Sequence, residues 1–295
     1  MASTATKAIP KFRYLSAWFC PFAHRSTLAF AHHKGRVDYE WVEALGWELQ
    51  NDANSVTGTG QDWYYHWKAE ELTRVNKSAL VPTLITVDPE TQQPDESKVV
   101  YESLVCIDFI DQVSGATGKD KLVSDDPLLA AQSRIWADKV NRDCCSPYYG
   151  VLVRKEDDER REFFDKLING LTTFSEQLQK TPGPVFLPDG QLSNVDLTLI
   201  PWAYRYYVFE HYRGPEYKIP ESKELEPYHE WYDHVMNLES VKSTLPDKDR
   251  YLEHIQKYAS GSARSKVANA VRRGVAAHDF DDEKDDYDGS EPKAS

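Results

Sequence analysis

The chain has 295 residues, 40% of them hydrophobic, which is enough apolar material for one large domain or two modest ones. Its formal net charge is −13, from 35 basic and 48 acidic residues, so a general affinity for nucleic acid is disfavoured. We find no run of about 18 uncharged apolar residues and no hydrophobic signal-peptide core, so we expect a cytoplasmic protein without a membrane partner. Four cysteines in so long a chain favour free thiols over a disulfide framework.

Residues 1–113 alternate between strand-like and helix-like segments, which predicts a thioredoxin-like α/β domain. A polar stretch at 43–63, which includes Gly58 and Gly60, is interpreted as an inserted surface loop. The predicted elements are strand 12–16, helix 21–34, strand 38–42, helix 64–74, strands 83–87 and 98–101, and helix 103–112.

The pattern changes after a linker at 114–125, and residues 126–260 are predicted to form an all-helical domain. Ser193 and Asp196 precede an apolar run with capping-box spacing, which marks one helix start clearly. Residues 261–295 form a charged tail, in which disorder is expected beyond 278, although residues 265–275 could form a short basic helix. The predicted long helices are 127–141, 157–179, 196–211 and 226–238.

Cys20 stands where a predicted strand passes into a helix that begins with Pro21. At this N-cap position the sulfur would face free backbone N–H groups and the positive end of the helix dipole, which lower a thiol pKa. The residue three positions later is Ala23, so the partner thiol must come from elsewhere, and a small-molecule thiol is the simplest choice. The alternative is that Cys20 is only a small buried hydrophobic residue.

Two further motifs suit a thiol peptide. Pro82 directly precedes a strand, and a cis bond there would leave the Val81 backbone free to pair with an extended peptide. Glu102 and Ser103 stand where a strand passes into a helix, so they offer partners to an ammonium group and to a carboxylate. Taken alone, the proline is equally well explained as a strand-edge residue, and the Glu–Ser pair as a surface residue followed by a helix cap.

Together these motifs resemble the glutathione transferase superfamily, and Phe19–Ala23 followed by Arg25 resembles its cysteine-type Omega class. The resemblance extends from about residue 12 to residue 258. It implies a thioredoxin-like domain followed by the all-helical C-terminal domain of this family. It also implies a mixed disulfide between Cys20 and glutathione as co-substrate, and we expect a homodimer that uses no metal.

The resemblance assigns the remaining site residues as well. In the family the cis-proline motif binds the cysteinyl backbone of glutathione, the Glu–Ser pair its γ-glutamyl end, and a lysine its glycyl carboxylate. A solvated helix lysine and a core tryptophan are the structural alternatives for Lys68 and Trp202. The implied glutathione-binding residues are Phe22, Lys68, Val81, Pro82, Glu102 and Ser103, and the implied acceptor pocket contains Phe19, Trp202 and Arg205.

A cysteine in place of a hydroxyl nucleophile favours redox exchange, because its thiolate attacks a disulfide directly. We expect deglutathionylation of mixed disulfides, dehydroascorbate reduction and reductive release of glutathione from aromatic ketone adducts, with weak conjugation to electrophiles. The alternative is a non-catalytic carrier of aromatic small molecules, which the 12% aromatic content favours. A zinc site is disfavoured, because His229 and His234 are five positions apart and point to different sides of a helix.

Overall fold

The computed structural model describes residues 8–50, 62–181, 183–187 and 190–286. In the first domain, the strands form a four-stranded sheet in the order β2-β1-β5-β6, with β1 and β2 parallel and the other pairs antiparallel. The first-domain elements are β1 (Lys11–Ser16), α1 (Pro21–His32), β2 (Asp38–Glu43), β3 (Leu45–Gln50), β4 (Trp63–Lys68), α2 (Glu70–Val75), β5 (Thr83–Val87), β6 (Pro94–Tyr101) and α3 (Ser103–Val113).

Alternating burial along β1 places Phe12 and Tyr14 in the core, where both rings contact Phe30 of α1. The Tyr14 hydroxyl donates to the Ala23 carbonyl at 2.5 Å and so ties the first turn of α1 to the sheet. The predicted architecture, a thioredoxin-like α/β domain followed by a helical domain, is confirmed. Apart from the additional strands β3 and β4, the elements of this domain follow one another along the chain in the predicted order.

The predicted surface loop at 43–63 is wrong for the residues that the structure describes. Strands β3 and β4 form an antiparallel hairpin, and β7 (Ala263–Arg264) adds to β4 in a second, three-stranded sheet. The predicted helix 64–74 is correct only in its second half, because the aromatic run at 63–67 suits a pleated strand better than a helix. Gly58 and Gly60 lie outside the described residues.

The second domain is helical as predicted, although the predicted helix 196–211 divides into α7 and α8 around Tyr204. The capping box between Ser193 and Asp196 is present at the start of α7. Among the described residues, no helix is long and apolar enough to cross a membrane. The helices are α4 (Pro127–Val140), a π-helical turn (Asn141–Cys145), α5 (Pro147–Val153), α6 (Asp157–Leu178), α7 (Asn194–Ala203), α8 (Tyr207–Arg213), α9 (Glu226–Met236), α10 (Glu239–Lys242), α11 (Lys248–Ala259) and α12 (Lys266–Arg273).

The C-terminal tail differs in part from its prediction. The short basic helix is present as α12, capped by Ser265. The expected disorder beyond residue 278 is wrong as far as Asp286, because Asp285 is buried and forms an ion pair with Arg273 at 2.6 Å. Residues 287–295 lie outside the described part of the chain. The charged composition of the tail indicated solvation, but Asp285 pairs with Arg273 of the tail itself, and Asp286 pairs with Lys68 of the first domain.

Candidate active site

Cys20 is the N-cap of α1, with Pro21 as the first helical residue, as the sequence predicts. Its N–H donates to the Ala17 carbonyl at 3.0 Å, which fixes the turn between β1 and the helix. The side chain is partly exposed and lines a cleft of about 470 Å³ between the two domains. The sulfur is therefore held at a helix N-terminus and opens toward a cavity large enough for a small peptide.

The electrostatics at Cys20 differ from the expected lowering of its pKa. Burial raises the pKa of the Cys20 thiol, while the N–H groups of Ala23 and Phe22 and the guanidinium groups of Arg205 and Arg25 act in the opposite direction. Burial outweighs these groups, so the expectation of a lowered pKa is wrong for this structure. The helix terminus does favour the thiolate, but the surrounding protein removes more water from the sulfur than the sequence indicated.

The Val81–Pro82 bond is cis, and the Val81 carbonyl oxygen lies 4.0 Å from the Cys20 sulfur. Asn76 supports this bend, because its side-chain amide donates to Thr83 Oγ1 at 2.9 Å and to the Leu80 carbonyl at 3.2 Å. The predicted peptide-binding edge thus lies directly beside the predicted nucleophile, and both line the same cleft.

Glu102 joins β6 to α3 with a φ of +71°, a conformation that non-glycine residues seldom adopt and that often marks a functional site. Its side chain is exposed to the cleft, whereas Ser103 is buried at the start of α3. Arg25 donates to the Ser103 hydroxyl at 2.9 Å. Residues 102 and 103 therefore present a carboxylate and a helix N-terminus to one end of the cleft. Lys68, in contrast, contributes a positive charge to the same cleft.

Arg25 connects this end of the cleft to the second domain. Its other donors reach the Thr198 carbonyl at 3.1 Å and the Asn141 side chain at 2.9 Å, and its guanidinium stacks 4.3 Å from the Trp202 ring. The side chain is 1% exposed, so each of these contacts is made away from bulk water. Arg25 is consequently a buried link between α1, α3, α7 and the π-helical turn.

Lys68 lies at the end of β4 and lines the cleft, not on the helix that the sequence predicts. Its ammonium group contacts the two carboxylate oxygens of Asp286 at 2.5 and 2.6 Å. Phe22 also lines the cleft and meets the edge of the Trp202 ring at 4.7 Å. The implied glutathione-binding residues are therefore brought together around one cavity.

The implied acceptor residues are placed differently from one another. Phe19 lines the cleft, but Trp202 and Arg205 are fully buried and do not. Trp202 packs under Arg25, which agrees with the core alternative. Arg205 donates to the Pro201 carbonyl at 2.6 Å, and its guanidinium lies 4.6 Å from the Tyr251 ring. These two side chains pack in the interior behind the cleft and are not exposed to an acceptor bound in it.

The structure places further aromatic side chains beside Phe19 in the cleft that contains Cys20, and the sequence indicated only Phe19 among them. Phe19 stacks on His254 at 4.0 Å and on His66 at 5.8 Å between centroids, and Tyr258 continues the surface. Trp47 backs the wall and donates to His254 at 3.1 Å. The spacing of Tyr251, His254, Ile255 and Tyr258 on α11 was a helical signal available in the sequence. We call Phe19, His66, His254 and Tyr258 the aromatic wall.

The two histidines of the aromatic wall are neutral. Burial lowers the pKa of His66 to about 3, with a smaller contribution from Lys68, and burial likewise lowers the pKa of His254. The His66 Nε2 atom is buried and has no hydrogen-bond partner among the described residues. The ring that carries this unpaired nitrogen lines the cleft. Within the described residues, no cluster of His, Cys, Asp and Glu suitable for a metal ion occurs.

Comparisons with known proteins agree with this geometry. Residues 19–113 match the family model described as glutathione S-transferase, N-terminal domain. Glutathione transferase GST 23 of maize, Zea mays, is 26% identical over 192 residues, which cover 64% of this chain and 81% of the maize protein. Residues 19–113 are therefore similar to the N-terminal domain of glutathione S-transferases, and the maize protein extends a weaker similarity over about two thirds of the chain.

Solved structures of two classes superpose on the chain about equally well. The Tau class enzyme of mango, Mangifera indica, has a TM-score of 0.64 at 18% identity and covers 84% of this chain and 98% of its own. Glutathione transferase Omega 3C from Trametes versicolor has a TM-score of 0.61 at 20% identity, with coverage of 84% and 90%. These likenesses establish the shared fold, and the Omega class remains a prediction.

Proposed function

We propose that the protein is a glutathione-dependent thiol transferase of Omega type that reacts through Cys20. The observation that carries this proposal is the meeting of Cys20, the cis Val81–Pro82 bond and the Glu102–Ser103 pair in one cleft. A cysteine at this position attacks sulfur itself, whereas a hydroxyl can only activate bound glutathione. The matched glutathione S-transferase domain supports glutathione as the thiol.

The reaction consists of two thiol–disulfide exchanges. The Cys20 thiolate attacks the glutathionyl sulfur of a mixed disulfide, forms a bond to it, and releases the acceptor as a thiolate that takes up a proton. A second glutathione thiolate then attacks the same sulfur, which gives oxidised glutathione and regenerates Cys20. With dehydroascorbate, two glutathione molecules supply the two electrons and become the disulfide. A raised pKa reduces the thiolate fraction near neutrality, but it makes each thiolate more nucleophilic.

The test is the intact mass of the protein after incubation with oxidised glutathione. We expect one adduct of glutathione mass, which peptide mapping assigns to Cys20, because Cys106, Cys144 and Cys145 are buried. Cys106→Ala should form the same adduct, and Cys20→Ser should form none. An unmodified parent protein, or an adduct on another cysteine, would contradict the proposal.

The aromatic wall supports a second candidate function, the carriage or turnover of flat aromatic molecules. A ring inserted beside Phe19 and Tyr258 gains stacking contacts, and a hydroxyl or carbonyl on that ring meets His66 Nε2. Reductive removal of glutathione from aromatic ketone adducts would use both sides of the cleft. If Cys20→Ser binds an aromatic dye as well as the parent does, while the parent catalyses no thiol transfer, the carrier function alone survives.

We also infer a homodimer, because one face of the molecule exposes large apolar side chains. Val105 on α3 is 53% exposed, and Leu128 and Ile135 on α4 are 66% and 68% exposed. An ion pair between Arg134 and Asp108 joins the two helices beside them. Sedimentation should show a dimer that the double substitution Leu128→Asp and Ile135→Asp converts to a monomer. A monomeric parent protein would overturn this inference.

A further inference from the structure

The C-terminal segment returns to the first domain and helps to line the cleft that contains Cys20. Strand β7 pairs with β4 of the inserted hairpin, α12 follows, and the chain then runs back as far as Asp286. The Ala277 N–H donates to the Ser146 hydroxyl at 3.1 Å, which fixes the start of this return. We call residues 277–286 the return segment. Its last residue lines the same cavity as Cys20 and Val81.

Two lysines, Lys68 and Lys266, form ion pairs with acidic residues of the return segment. Asp286 lies between Lys68 and Lys266, with its carboxylate 2.5 Å from the first ammonium and 3.6 Å from the second. The Lys266 ammonium also contacts Asp282 at 2.5 Å and donates to the Ser78 carbonyl at 2.6 Å. The Lys266 side chain is only 4% exposed, so its charge requires an anionic or carbonyl partner inside the protein.

We propose that Lys68 and Lys266 together form the carboxylate site for the glycyl end of glutathione, and that Asp286 occupies it as a built-in competitor. This inference rests on the proposed function and adds Lys266 as a second residue that binds the glycyl carboxylate. The glycyl carboxylate and the Asp286 carboxylate are the same chemical group, so either one satisfies the two lysines. Glutathione therefore binds fully only when Asp286 leaves.

The residue that anchors the return segment, Asp285, differs from the residue that occupies the carboxylate site, Asp286. Asp285 is buried, pairs with Arg273 at 2.6 Å, and its carbonyl accepts from Asn269 at 2.9 Å. These contacts anchor the segment on α12, away from Lys68. Asp286→Asn consequently removes the competing charge and leaves the anchor intact, so the substitution tests competition without detaching the segment.

The expected effect follows from the fraction of molecules in which the site is open. The apparent dissociation constant equals the intrinsic one divided by the open fraction. If Asp286 fills the site in about nine molecules of ten, its removal tightens binding about tenfold. A peptide that lacks the glycyl carboxylate gains nothing, because it does not compete with Asp286 for the lysines.

The experiment is calorimetric binding of S-methylglutathione, which cannot form a disulfide, and of the C-terminal amide of S-methyl-γ-glutamylcysteine, which lacks glycine and has no C-terminal carboxylate. The full-length parent protein is compared with Asp286→Asn and with Glu283→Gln. Glu283 is an exposed acid of the same return segment, so its substitution makes the same change in net charge. We expect Asp286→Asn to bind the tripeptide about tenfold tighter, Glu283→Gln to match the parent within twofold, and the dipeptide to distinguish none of them.

Hydrogen exchange of the parent protein gives a second readout. Saturation with S-methylglutathione should speed exchange in the return segment, and the dipeptide should not. Equal tripeptide affinity in the parent and Asp286→Asn would overturn the competition while leaving the proposed function intact. An equal gain for both peptides would overturn it as well. If no protein binds either peptide, the glutathione site itself is wrong and the proposed function falls with it.

Discussion

The two sides of the cleft are built from different kinds of sequence information. Cys20, the cis Val81–Pro82 bond and the Glu102–Ser103 pair each lie where one strand meets the next element, so short motifs locate them. The aromatic wall combines the turn before α1, the inserted hairpin and α11, and its outermost members, Phe19 and Tyr258, are 239 positions apart in the chain. Local motifs thus identify the chemistry, whereas long-range packing determines which molecules reach it.

Removal of the Cys20 sulfur should have the largest effect, because it abolishes the chemistry on one side of the cleft and leaves aromatic binding on the other side unchanged. Cys20→Ser should lower thiol-transfer rates by about a thousandfold or more, because an alcohol does not form the mixed disulfide. Binding of an aromatic dye should stay within about twofold, since the aromatic wall is unchanged. Steady-state assays with a glutathionylated peptide and fluorescence titration measure the two effects. Retained transfer activity would show that another group is the nucleophile.

Substitution of Asp196 tests the stability of the second domain without changing the residues proposed to react or to bind glutathione. Its buried carboxylate accepts from the Ser193 N–H at 2.8 Å, the Phe186 N–H at 3.1 Å and the Trp231 indole at 2.8 Å. Asp196→Ala leaves these donors unpaired and should lower the free energy of unfolding by about 3 kcal/mol. Ser193→Ala, which removes only the cap hydroxyl, should cost about 1 kcal/mol. Urea unfolding gives both values, and similar midpoints for the two variants would contradict the assigned role of Asp196.

The pH dependence of Cys20 alkylation tests the balance of forces at the sulfur. Because burial raises the pKa of Cys20, only a small thiolate fraction exists at pH 7, and that fraction grows as pH rises. The rate with iodoacetamide should increase about tenfold per pH unit from pH 7 to about pH 9 without levelling off. Cys20→Ser supplies the background rate. A plateau near pH 6 would mean that the helix N-terminus outweighs burial after all.

The smallest expected effect concerns the polar atom of the aromatic wall. His66→Phe keeps a ring beside Phe19 and Trp47 but removes the buried Nε2 atom. Affinity for a hydroxylated aromatic probe should fall about threefold to tenfold, the value of one hydrogen bond, while its methyl ether should bind unchanged. Trp67→Phe, on an exposed part of the same hairpin, is the control. Equal losses for both probes would indicate a packing role for His66.

The features that the sequence predicted correctly depend on neighbours in the chain. The N-cap position of Cys20, the cis bond at Pro82 and the capping box at Ser193 each involve a few consecutive residues. The hairpin strand β4 was predicted as a helix, although its aromatic run suits a strand. Its pairing with β7 joins Tyr64 to Ala263, and no local pattern indicates a pairing over that distance.

The errors at the site have the same origin. The pKa of Cys20 was expected to fall because only the helix N-terminus is visible in the sequence, whereas the burial that raises it comes from the folded surroundings. Trp202 and Arg205 were assigned to the acceptor pocket, but packing turns both into the interior. The carboxylate partner of Lys68 is Asp286, 218 positions away, and no spacing rule connects them.

The buried guanidinium of Arg25 connects the two domains. It donates hydrogen bonds to Ser103 at the proposed γ-glutamyl end and to the Thr198 carbonyl and Asn141 of the helical domain. We expect a ligand that displaces Ser103 to displace α7 and the π-helical turn as well, because Arg25 is bonded to all three. By thermodynamic linkage, if this ligand changes the binding free energy of a second ligand at those helices, the second ligand changes the binding free energy of the first by the same amount.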